Sequence, residues 1–63
     1  MLVPYLRAWR DSRTLTQDEL AVRAGVTRNT VIRAEADLDV RQSTVRKLAR
    51  GLGITPARLR RPP

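Results

Sequence analysis

Thr16 to Glu35 reads TQDELAVRAGVTRNTVIRAE, and the punctuation of this stretch decides the fold. Thr16-Gln17-Asp18-Glu19 has the form of a capping box, in which the threonine hydroxyl takes an unpaired amide and the glutamate reaches back to the threonine N–H. Asp18 and Glu19 suit the positive end of the helix that follows. Leu15, just before the cap, is placed to staple against Leu20. Leu20, Ala21 and Ala24 fall on the inward face and Val22 on the outward one. Gly25 ends this helix, because a residue without Cβ adopts left-handed backbone without strain. Thr27 then caps a further helix, Arg28 to about Ala36, with Val26, Val31 and Ala34 toward the core.

The same signals extend outward. Upstream, a helix is expected from about Pro4 to Arg13, since proline is tolerated in a first turn. Leu2, Leu6 and Trp9 lie at i, i+4 and i+7 and predict its apolar stripe. Downstream, Asp37 to Val40 reads as a loop. A helix from about Gln42 to Leu52 follows, with Val45, Leu48, Ala49 and Leu52 inward. Gly51 inside it costs about 1 kcal/mol against alanine, a sign of close packing or early fraying. Gly53 terminates it, and Thr55-Pro56 caps a last short helix through Leu59 or Arg60. No strand-like alternation occurs. The expectation is an all-α chain: a compact five-helix bundle, residues 1–63 forming one domain, with about a dozen aliphatic side chains and Trp9 as its core.

Composition narrows the function. A domain of 63 residues is marginal in the surface it buries. The chain has no cysteine and no histidine, so no disulfide can staple it and a zinc site lacks its usual ligands. No apolar run approaches the roughly 20 residues needed to span a bilayer, and the start lacks a secretory apolar segment. Thirteen basic residues face six acidic ones, for a formal net charge of +7. Codon bias in a high-GC genome would explain arginine over lysine but not basic over acidic. The excess predicts attraction to a polyanion, weakening as salt rises. No nucleophile–base pair stands out, so no enzyme is expected. No cofactor or metal is implied.

Two helices joined by a short glycine turn make a helix-turn-helix. Gly25 permits the turn, and Ala21 allows the two helices to approach closely. The second helix is short enough to enter a major groove end-first, with Arg28, Asn29 and Arg33 leaving the protein body. Arginine is the best bidentate donor to guanine O6 and N7, asparagine pairs with adenine N6 and N7, and Ile32 can pack on a thymine methyl. A half-site with a G·C pair near an A·T pair is therefore expected.

With these residues in order, the chain resembles the lambda-repressor-like helix-turn-helix domains, the Cro and XRE type of phage and bacterial regulators. The likeness runs from Leu6 to Leu59, through Arg10, the VRKLARGLGI stretch of Val45 to Ile54, and the closing leucine. It implies a five-helix bundle that binds operator double-stranded DNA, a bacterial or phage protein of the cytoplasm associated with the nucleoid. By the same resemblance, Arg28, Asn29, Ile32 and Arg33 face the bases. Gln17 and Thr27 touch phosphate; Thr30, beside them, and Arg41, the best placed of the basic residues after the loop, are further phosphate candidates. Arg10 and Glu35 match a structural ion pair.

Two departures stand out. Ala34 sits where the family has a larger apolar residue, which predicts a thinner core there or its filling by Trp9. The loop after the second helix of the motif lacks the family's glycine, and Asp37 and Asp39 put negative charge near phosphate. Arg41, Arg46 and Lys47, just beyond, can restore the positive surface.

The resemblance also implies a homodimer, joined through Ile54 to Leu59. Arg58, Arg60 and Arg61 would repel across its axis, which predicts dimerisation only on DNA. The main expectation is a repressor. The competing one is a protein-interaction module, an antitoxin or adaptor, favoured by outward Val22, Ile32 and Val40.

Overall fold

The structure is a computed structural model describing residues 1–63. Five helices and no strand make it up: α1 (Leu6–Ser12), α2 (Gln17–Ala24), α3 (Arg28–Glu35), α4 (Gln42–Leu52) and α5 (Pro56–Leu59). α2 packs on both α4 and α3, α5 packs on α4, and α1 leans on α3.

Local chemistry fixes where the helices begin. Thr16, Thr27 and Thr55 hold extended backbone, and their hydroxyls accept from the amides of Glu19, Thr30 and Arg58. Each satisfies one of the N–H groups a helix start leaves orphaned. At Thr16 the box is complete, since its own N–H donates to Glu19 Oε1 at 2.8 Å.

The ends share one device. Residues at positive φ follow the first four helices: Thr14 (58°), Gly25 (71°), Asp37 (59°) and Gly53 (73°). The next amide then reaches five residues back. Leu15 donates to Arg10 O, Val26 to Ala21 O, Leu38 to Arg33 O and Ile54 to Ala49 O, at 3.0–3.2 Å. This is the Schellman closure, ordinarily built on glycine. Here two of the four are built on side-chain-bearing residues. Asp37 occupies the place where the glycine was missing from the loop.

Fifteen apolar residues form the core, and Leu6, Leu20, Leu48 and Leu59 are among its fully buried members. Each such leucine contributes about 2 kcal/mol by leaving water. Val3, not Leu2, belongs to this core: Val3 is 2% exposed and Leu2 56%. The expected stripe assumed a helix from Pro4, but α1 begins only at Leu6, so helical spacing does not hold before it. Val40 is half-buried and packs against the core rather than facing water.

Trp9 serves the C-terminal segment. Its indole Nε1 donates to Arg61 O at 2.7 Å. The guanidinium carbons of Arg13 and Arg58 lie 5.3 and 5.4 Å from its ring centroid, within cation–π reach. Ala34 is fully buried as it stands.

Candidate nucleic-acid interface

α3 buries Val31 and Ala34, and the helical repeat puts Arg28, Asn29, Ile32 and Arg33 on the opposite face. All four are exposed, Ile32 at 39%. Asn29 and Arg33 make no side-chain hydrogen bond or ion pair within the chain, so their donors are available outward. Arg28 Nε lies 3.6 Å from Asp18 Oδ1, at the start of α2.

The helix is held from both ends. At its start, the Thr27 hydroxyl accepts from Thr30 N–H at 3.2 Å, and the two threonine hydroxyls lie 3.0 Å apart. At its end, Arg10 grips Glu35 with two prongs, Nε to Oε2 at 2.6 Å and Nη2 to Oε1 at 3.1 Å. Arg10 Nη1 also donates to Leu15 O at 2.8 Å. The hydrogen bond to Glu35 holds the Arg10 guanidinium above its ordinary pKa, outweighing partial burial. Arg10 therefore ties α1, the α1–α2 turn and the end of α3 together.

Gln17 joins this network. Its Nε2 donates to Glu35 Oε1 at 3.2 Å, which leaves one amide hydrogen for another acceptor. The first two positions of α2 thus serve opposite ends of α3, Gln17 the last residue and Asp18 the first. Sequence reading missed both contacts. The placement of carboxylate and cation on either side of the Gly25 turn was the only signal for the Asp18–Arg28 pair.

Arg41 precedes α4, with no side-chain cap on that helix and no ion pair of its own. Asp37 and Asp39 are exposed in the loop before it. Charge divides unevenly along the chain. Residues 1–39 carry six basic and six acidic side chains, whereas residues 40–63 carry seven basic and none acidic. Arg46, Arg50 and Arg58 rim an open cleft of about 600 Å³ between α4 and α5, floored by Gly53 to Pro56. In the segment expected to dimerise, Ile54 and Leu59 are buried in the chain's own core, and only Thr55 to Arg58 remain exposed.

A capped helix that enters through a glycine turn, buries one stripe and presents two arginines and an asparagine on the other has the form of the second helix of a helix-turn-helix. The helix-turn-helix family model matches residues 6–59, and the chain belongs to that family, in its Cro/C1-type branch. Two solved structures share the fold closely. The restriction-modification controller protein C.AhdI from Aeromonas hydrophila is 34% identical, with a TM-score of 0.82 over 87% of this chain and 85% of that one. A hypothetical transcription factor, NHTF, from Neisseria is 30% identical, with a TM-score of 0.83 over 94% of this chain and 69% of that one. Among curated proteins none matches the chain in sequence. No helix is long and apolar enough to cross a membrane.

Proposed function

We propose that this chain binds a specific double-stranded DNA sequence through α3 and represses transcription by occupying that site. The observation that carries the reading is the outward stripe of α3, where Arg28, Asn29, Ile32 and Arg33 project from a helix whose other face is locked in the core. Arg28 and Arg33 supply bidentate donors for guanine, Asn29 for adenine, and Ile32 an apolar contact for a thymine methyl. Gln17, Thr27, Thr30 and Arg41 supply phosphate contacts, which set register without reading sequence. The controller and transcription-factor relatives support a regulatory role, and such a role is carried out in the cytoplasm, where the DNA lies.

The protein acts as a homodimer assembled on DNA. The exposed part of the α4–α5 face offers arginines rather than apolar surface. A two-fold contact there opposes Arg46, Arg50 and Arg58 to their own copies, and a polyanion relieves that repulsion. Selection of bound sequences from a random duplex pool tests the reading. The expected motif holds a G·C pair near an A·T pair, repeated with two-fold symmetry about 34 Å apart. It vanishes in Arg28→Ala/Arg33→Ala. A pool that yields no enriched motif overturns the proposal.

A second reading, an antitoxin or adaptor that binds a protein, draws on one observation: Val22 is 82% exposed on α2, beside Asp18, Glu19 and Arg23. A partner complex that survives Arg28→Ala/Arg33→Ala would favour it.

A further inference from the structure

We infer that Asp18 is a specificity-determining residue that positions Arg28 for base reading, an inference that rests on the proposed role of α3. Asp18 is the one acidic residue at the start of α2 without a capping task. Thr16 and Glu19 complete the capping box between them, and the Asp18 carboxylate makes no hydrogen bond. Arg28 makes no side-chain hydrogen bond and no other ion pair. The pair spans the Gly25 turn from the second residue of α2 to the first residue of α3, with Arg28 Nε 3.6 Å from Asp18 Oδ1. Both side chains are largely exposed, 62% and 69%, so the contact is made at the surface from which α3 projects.

The side of the guanidinium that is engaged matters. Asp18 addresses Nε, which leaves both terminal nitrogens, and their four N–H groups, uncommitted. Guanine needs two of these in one plane for O6 and N7. An arginine drawn toward a carboxylate on its Nε side samples fewer rotamers before binding, so its contact discriminates better than that of an unbiased chain. The carboxylate acts in a second way. It places negative charge beside the groove-facing helix, so it opposes phosphate wherever Arg28 finds no guanine. It therefore weakens binding to all sequences while sharpening the choice among them.

These two effects have opposite signs, and that separates the inference from simple surface charge. The test compares wild type with Asp18→Asn, Arg28→Ala and the double variant. Affinity is measured for the selected duplex, for that duplex with the Arg28-dependent G·C pair replaced by A·T, and for an unrelated duplex. Asp18→Asn is expected to raise affinity for the unrelated duplex. It is also expected to lower discrimination at the one G·C pair by up to about fivefold, the range of an exposed ion pair. In the Arg28→Ala background it changes discrimination at no position, and Asp18→Glu restores part of the loss. If Asp18→Asn strengthens binding to all three duplexes by the same factor, or changes none, the inference is overturned while DNA reading by α3 stands. If wild type shows no preferred sequence, the reading itself fails and this inference with it.

Discussion

Gly51 on α4 lies so close to α2 that a Cβ built there would sit 3.0 Å from both the Cβ and the backbone nitrogen of Ala24. The glycine therefore marks the crossing of the two helices that share the largest contact in the fold. Helix propensity alone favours Gly51→Ala by about 1 kcal/mol. The neighbour is backbone and cannot yield like a side-chain tip, and overpacking costs about 1–3 kcal/mol. Gly51→Ala is expected to lower stability by about 1 kcal/mol net, read as a fall in the urea midpoint at unchanged m.

Arg10 and Glu35 have side chains only 13% and 7% exposed, so neither tolerates losing the other. Glu35→Ala strands the Arg10 guanidinium and the Gln17 amide together. The expected loss is about 3 kcal/mol, against a total of roughly 3–9 kcal/mol for a chain of this length. Arg10→Met/Glu35→Leu is expected to recover much of it, because the charges leave as a pair. Chemical denaturation of the three variants checks both values.

Thr14 and Asp37 occupy backbone that favours glycine, at φ 58° and 59°. A β-branched residue is strained there by about 1–2 kcal/mol, whereas aspartate tolerates it better. Thr14→Gly is expected to raise stability by about 1 kcal/mol and Asp37→Gly by less, since glycine also loosens the unfolded chain. Thermal unfolding should rank the two in that order.

Glu19 gives the fold an acid limb. The Thr16 backbone amide, and after it the Thr16 hydroxyl, hold the Glu19 carboxyl below its ordinary pKa. A depressed folded value means the stabilisation is fully present above the unfolded value of about 4.3 and is lost as pH falls through the folded one. Glu19→Gln keeps an acceptor for the Thr16 amide without a titrating group. Its stability is expected to vary less than wild type's as the pH drops below about 4.

Arg41 and Arg33 should fail differently. Arg41→Gln is expected to weaken binding to every duplex and to reduce the log–log salt slope by about 1. Arg33→Ala is expected to relax preference at one base pair by about 1–3 kcal/mol. Titrations at several salt concentrations, on selected and scrambled duplexes, separate the two.

What the sequence disclosed and withheld follows from the range of each interaction. Thr16, Thr27 and Thr55 act on amides three residues away, and Gly25 and Gly53 act on their own backbone, so five helices and their order were legible. Thr14 and Asp37 were not, because threonine rarely takes left-handed backbone and aspartate, which tolerates it, far more often sits elsewhere. Their geometry is imposed by where the chain must go next. Val3 displaced Leu2 because the chain before α1 does not follow the helical repeat. The exposed stripe of α3 was readable from periodicity. The contacts at its two ends, a hydrogen bond from Gln17 to Glu35 and an ion pair of Asp18 with Arg28, join positions 18 and 10 residues apart, and only packing decides them.

The seating of the lone indole has a practical outcome. Trp9 is the only tryptophan in the chain, and its ring lies against two guanidiniums with its nitrogen tied to the Arg61 carbonyl. Its emission therefore reports on the last turn of the molecule rather than on α3. Any ligand, partner or substitution that lifts α5 from the bundle will announce itself as a change of fluorescence in the unlabelled protein.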